Sequence, residues 1–358
     1  MAIRALARSR RWLIAPAAAA AAVVAFVGVT QLSANAATVA ATTQLTLSDA
    51  ADVVATADHV FISGGEQSDQ VIVTDANGTA VGALTDLPGP TDLLLSPDQA
   101  TLYIALPNVN AIEVYNAESL TEVNRIATGG GTCPRNLAQS GHFLWFAYAC
   151  DNYNWGGNIG RVDLAVNPPT VATRLAGNTL LYGAPLLDAP AGGAQTLVVG
   201  QRGLSPGSLM LFTIGPDGSL TLTRTSAFSA VGGNLRDIAV TADATSVFTS
   251  SGAPYTLVCY GMSDLTQQMS LPTAAYPNAV QLSPDNTLVA AGSDALYDKD
   301  VFVFRRNGSR IGSVDFGAEQ VLIDKGLAWS PDGTKLYAVS VHPYEDIPPT
   351  LHVLLVSA

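Results

Sequence analysis

A short turn signature recurs along this chain, and its recurrence restricts the fold more than any other feature of the 358 residues. Ser96-Pro97-Asp98-Gln99, Ser283-Pro284-Asp285-Asn286 and Ser330-Pro331-Asp332-Gly333 each separate two short apolar runs. Leu93-Leu94-Leu95 and Leu102-Tyr103-Ile104 flank the first, Val280-Gln281-Leu282 and Leu288-Val289-Ala290 the second, Leu327-Ala328-Trp329 and Leu336-Tyr337-Ala338 the third. Proline fixes φ at the second turn position, Asp bonds back to the backbone, and the fourth residue accepts a positive φ. Weaker copies stand at Thr56-Ala57-Asp58 and Thr241-Ala242-Asp243, and degenerate ones at Ser140-Gly141 and within 189–193. The seven anchors are about 40, 42, 50, 52, 42 and 47 residues apart, which is the spacing of propeller blades.

A second hairpin follows in the better repeats, turning at Asn77-Gly78, Asp217-Gly218 and Asn307-Gly308, pairs whose residues both tolerate positive φ. Two hairpins per repeat make a four-stranded antiparallel sheet, so the expected fold is an all-β, seven-bladed β-propeller over 37–358. The last repeat supplies only three strands, ending at 351–357. Residues 43–48 are expected to provide the fourth, with Leu45 opposite Val353, closing the ring and removing exposed sheet edges.

Pro90-Thr91-Asp92-Leu93-Leu94-Leu95-Ser96-Pro97-Asp98, followed by Leu102-Tyr103-Ile104 and Ala111-Ile112-Glu113-Val114-Tyr115, resembles the YVTN family of bacterial propeller repeats. Tyr276-Pro277-Asn278-Ala279-Val280-Gln281-Leu282-Ser283-Pro284-Asp285 repeats the pattern. The resemblance covers most of 43–358, with repeats three and four fitting worst. It implies the fold and an extracytoplasmic setting. Similar propellers include lactonases and streptogramin lyases, but none of their motifs can be placed on residues of this chain.

The chain begins like an export signal. A basic stretch with Arg4, Arg8, Arg10 and Arg11 precedes an apolar run, and Ala34-Asn35-Ala36 fits a cleavage site before Ala37. Residues 1–36 are therefore read as a signal peptide rather than as a membrane anchor, with general or twin-arginine export left open. No second run of spanning length follows. Removing four arginines from a net charge of −12 leaves −16, a surface that repels phosphate backbones, so nucleic acid is not an expected partner. The expected product is a secreted or cell-surface bacterial monomer. Cys133 and Cys150 lie symmetrically about the turn Ser140-Gly141-His142, so a hairpin there would set them opposite each other as a disulfide, with Cys259 left as a buried thiol.

Chemical motifs are sparse. Gly203-Leu204-Ser205-Pro206-Gly207 matches a nucleophile-elbow string, yet a strand follows it and Pro206 has no N–H for an oxyanion, so it is read as a loop. His59, His142, His342 and His352 lack metal-ligand spacing, and only His342 is retained as a candidate. Asp294, Asp298 and Asp300 are read as a solvated acidic loop, and no metal or cofactor is expected. Propeller topology puts the loops between second and third strands, and those between blades, on one face around the channel. On that face the candidate ligand-binding residues are Arg135, Asn136, Tyr153, Trp155, Arg202, Arg236, Tyr276, His342, Tyr344 and Glu345. Three arginines near one mouth suit a carboxylate or acidic sugar, and interleaved Tyr and Trp a glycan, peptide or protein. The competing reading makes Arg135 and Arg236 partners of Asp92, Asp237 or Asp324 across blades. The leading functional expectation is a non-enzymatic binding module. The alternative is a hydrolase or lyase of lactonase type, acting on a small carboxylate or sugar-derived substrate through His342, Glu345 and the arginines.

Overall fold

The computed structural model describes residues 35–191 and 193–357. Of the export signal read at 1–36, only Asn35 and Ala36 fall within them. The described residues form seven four-stranded antiparallel sheets arranged in a ring. Blades 1 to 6 take their strands in chain order from 52–84, 92–127, 134–172, 186–225, 233–272 and 277–314. Blade 7 consists of Val321–Trp329, Lys335–Val341 and Thr350–Val356, with Ala37–Gln44 as its outer strand.

The ring closes through the N-terminal strand, but that strand begins six residues before 43–48 and ends four residues before it does. Ala41, not Leu45, stands opposite Val353. Leu45 and Leu47 are buried in the connection to blade 1, where they pack among Val53, Ile323 and Val353. Their apolarity reports this packing, whereas the pairing strand ATVAATTQ is largely exposed and carries little hydrophobic alternation. Asn35 and Ala36 extend the contact on the other side. The Asn35 amide bonds the backbone of Ser313, and Ala36 donates to the Ile311 carbonyl at 3.1 Å.

The turn signature folds as its residues dictate. In each strong copy the first hydroxyl donates to the Asp, as Ser283 does to Asp285 and Ser330 to Asp332, both at 2.6 Å. The same hydroxyl accepts the backbone N–H five residues on, that of Leu288 or Lys335. Gln99, Asn286 and Gly333 take the positive φ of the fourth position. These hydrogen bonds, the serine's above all, hold Asp98, Asp285 and Asp332 below the ordinary carboxylate pKa. The Asn-Gly and Asp-Gly hairpins differ from expectation in one respect. Only the glycine has positive φ, and the strands slip register just before the turn, between Val73 and Thr74 or Val303 and Phe304. This is a type I turn closed by a glycine bulge rather than a two-residue mirror-image turn.

Seven hydrophobic clusters fill the seven interfaces between blades. The period of two in a strand explains how one blade serves two neighbours. In Phe143–Tyr148, Leu144 and Phe146 pack toward blade 2, while Phe143, Trp145 and Ala147 pack toward blade 4. A strand buried on both faces therefore reads as an unbroken apolar run.

Candidate functional site

The first strand of each blade lines the channel, and six of the seven carry an Asp or Asn that ties the blade to the next. Asp52 accepts the N–H of Leu93 at 2.7 Å, Asp92 that of Leu137 at 2.7 Å, Asp188 that of Val240 at 2.7 Å, and Asp237 that of Val280 at 2.9 Å. Asn136 and Asn278 work in the other sense, their amides donating to Pro185 at 2.9 Å and Leu322 at 2.6 Å. Asn136, expected to face a ligand, is 4% exposed and holds blade 4 with its amide, while it also borders the cavity above the ring. Burial pushes all four carboxyls above the ordinary range, Asp188 to about 6 and Asp237 to about 7.

Blade 7 departs from the pattern. Its first strand bulges between Leu322 and Leu327, and Lys325 adopts a φ of 58°. The bulge sends the Lys325 ammonium into the ring, where it bonds Asp92 and lies 3.9 Å from Asp52. Burial works against the charge on Lys325. The negative charges of Asp92, Asp52 and Asp237 outweigh it and hold the pKa above that of a free lysine. Asp324, one residue earlier, reaches the channel mouth. There its two oxygens each accept from Arg236 at 2.9 Å, and Arg202 approaches one of them at 3.4 Å.

Above the ring lies a cavity of about 520 Å³, bounded by Arg135, Arg202, Arg236, Tyr153, Tyr182 and Asp324, among others. Arg135 donates from Nε to the Ala149 carbonyl at 3.0 Å and forms an ion pair with Glu66. Burial, and then the positive charge of Arg202, lower its pKa. Of the ion pairs weighed from the sequence, Arg236 with Asp324 is present. Arg135 pairs with Glu66 instead, and Asp92 with Lys325.

Covalent and backbone restraints fix the aromatic side of the cavity. Cys133 and Cys150 form the expected disulfide, with Cα atoms 5.0 Å apart. It joins the start of the strand carrying Arg135 to the base of the loop carrying Tyr153 and Trp155. That loop is locked to the connection between blades 3 and 4: Gly183 donates to the Asn154 carbonyl at 2.8 Å, and Ala184 to the Asn152 side chain at 2.8 Å. A Cβ on Gly183 would come within 2.5 Å of the Asn152 carbonyl oxygen, at a φ of 56°. Only glycine suits both constraints. Gln201 accepts from the N–H of Tyr182 and donates to Leu180, and Trp155 meets Tyr182 edge-on at 5.3 Å between ring centres.

The remaining candidates separate. Tyr276 and Tyr344 line a second depression of about 530 Å³ with Tyr297 and Asp294. His342 and Glu345 follow the second strand of blade 7 and line neither cavity. His59 bonds the Ala117 carbonyl from the start of the second strand of blade 1, and His352 is buried against Ser340 and Phe316, burial lowering its pKa to about 4. The Gly203–Gly207 segment is a loop, as read. The acidic stretch is not fully solvated. Asp300 is buried and accepts the Phe316 N–H at 2.6 Å, and burial raises its pKa to about 7.

These features define the class: a seven-bladed β-propeller whose mouth gathers arginines and tyrosines over a ring of buried carboxyls. Among solved structures, 1527 chains match, so the fold by itself does not select an activity. One of them, titled Crystal Structure of Mitotic Checkpoint Complex, aligns over 99% of this chain and 99% of its own, at 14% identity and a TM-score of 0.68. That likeness is one of fold. No family model and no curated protein matches this sequence.

Proposed function

We propose that this chain is an exported bacterial propeller of YVTN-repeat type, acting as a non-enzymatic binding module at the cell surface or outside the cell. The observation that carries the reading is the convergence of Arg135, Arg202 and Arg236 with Tyr153 and Tyr182 on one cavity. Cationic side chains are scarce in a chain of net charge −12, and a cavity of this size accommodates a small ligand or one unit of a larger one. The Cys133–Cys150 bond is compatible with an oxidising compartment, and no helix of the described residues is long and apolar enough to cross a membrane. A lactonase-type reading needs His342 and Glu345 beside the arginines, whereas the cavity is built from other residues.

The test is a titration of the mature protein against acidic and neutral oligosaccharides, peptides and small metabolites. A ligand that binds the wild type should lose about tenfold or more in affinity with Arg135→Ala, because charge-assisted hydrogen bonds are removed. The reading fails if every ligand found is indifferent to Arg135→Ala and Arg236→Ala, or if a bound lactone is turned over.

A further inference from the structure

The three arginines of the mouth are not equally occupied. Arg236 is filled by both oxygens of Asp324 and by Asn234, whose side-chain oxygen, turned toward it, accepts from Nε at 2.9 Å. Arg135 holds Glu66 and the Ala149 carbonyl. Arg202 has only the 3.4 Å contact to an Asp324 oxygen that Arg236 already uses, its sole polar side-chain contact among the described residues. Arg135 and Arg202 line the same cavity and carry like charge, which adds to burial in lowering the pKa of Arg135. An anion between them would relieve that repulsion, and the planar fork of a guanidinium matches a carboxylate.

The surroundings narrow the carrier of that carboxylate. Tyr153 and Tyr182 wall the same cavity, and Asn152, Gln67 and Asn234 add groups that exchange hydrogen bonds with hydroxyls. The exposed aromatic side chains at Tyr153, Trp155, Tyr255, Tyr276, Tyr297 and Tyr344 all lie in loops of this one face. An extended peptide needs a groove or a free sheet edge. This cavity is instead a bowl enclosed by blades 1 to 5 and 7, suited to a compact ring.

Resting on the binding-module reading, we propose that the ligand is a carboxylated saccharide of the uronic-acid class. Its carboxylate bridges Arg135 and Arg202, and its ring lies against Tyr153 and Tyr182. Asp324 and Glu66 are the resident carboxylates, competing for Arg202 and Arg135 respectively.

Calorimetric titration of the mature protein compares four probes: a galacturonic acid trimer, its methyl ester, the neutral galactose trimer and a glutamate tripeptide. The acid trimer should bind, while the ester and the neutral trimer should bind about tenfold or more weakly. Arg202→Ala should abolish that preference, and Arg202→Lys, which keeps the charge but not the fork, should retain part of it. Asp324→Asn should bind the acid trimer more tightly than the wild type. Equal binding of acid and neutral trimers, stronger binding of the tripeptide, an unaffected Arg202→Ala, or no binding of any probe would each overturn the proposal. A different ligand that still depends on Arg135 would leave the binding module standing and remove only the saccharide.

Discussion

Lys325 carries most of the charge balance at the centre of the molecule. Four buried carboxyls face one ammonium, and each carboxyl has a pKa above its ordinary value. A raised carboxyl pKa means that the folded state holds the proton more tightly than the unfolded chain, so stability falls as pH rises through the interval, from about 4 to about 7 for Asp237. Lys325 opposes that fall and stays charged throughout the interval. Lys325→Met should therefore cost about 3–5 kcal/mol near pH 7, where buried charge is left unpaired. The penalty should shrink near pH 5, below the values of about 6 for Asp188 and about 7 for Asp237, where these two carboxyls take up protons. Urea unfolding of both proteins at the two pH values measures it, and an equal penalty at each would contradict the account. The arginines of the mouth were legible in the sequence because alternation of loops between two faces is a property of the topology. The ring was not. Six of the seven blades contribute one Asp or Asn, as in Pro90-Thr91-Asp92, Pro134-Arg135-Asn136 and Pro277-Asn278, and its partner is a backbone N–H or carbonyl at the next blade some 45 residues away. The repeated acid or amide was the available signal, but its meaning is three-dimensional.

At the scale of elements, the hairpin of blade 3 joins stability to the site. The disulfide closes a loop with a sequence separation of 17, which in the chain-entropy account contributes roughly 3 kcal/mol. Replacing Cys133 and Cys150 by Ser should lower stability by about that amount in urea. It should also weaken any ligand that depends on Tyr153, because the loop base is no longer fixed beside Arg135. A variant with lowered stability and unchanged affinity would show that the Asn152 and Asn154 bonds suffice. The pairing of these cysteines was legible from their symmetry about a turn. The closing strand was misplaced for a physical reason: an outer strand with one exposed face needs no apolar alternation, so Ala37–Gln44 resembles a linker, and the adjacent Leu45 and Leu47 attract the assignment.

For the whole molecule, closure matters more than any single cluster. Every blade is sandwiched between two others, so no interface is free to open without exposing an apolar sheet face. Removing residues 37–44 from the mature protein would strip the outer strand from blade 7 and leave the backbone of Thr350–Val356 unpaired along one side. Such an edge recruits other chains. Size-exclusion chromatography should show the shortened protein as oligomer or aggregate, and a well-behaved monomer of native stability would contradict this.

The same pairing has a geometric corollary. Ala37 lies opposite Val356, and both strands begin or end at the side of the disc remote from Arg135 and Arg202. A carrier, bead or sensor chip joined at residue 37 or 357 would therefore hold the disc from behind. The arginine bowl would be left facing the surrounding fluid.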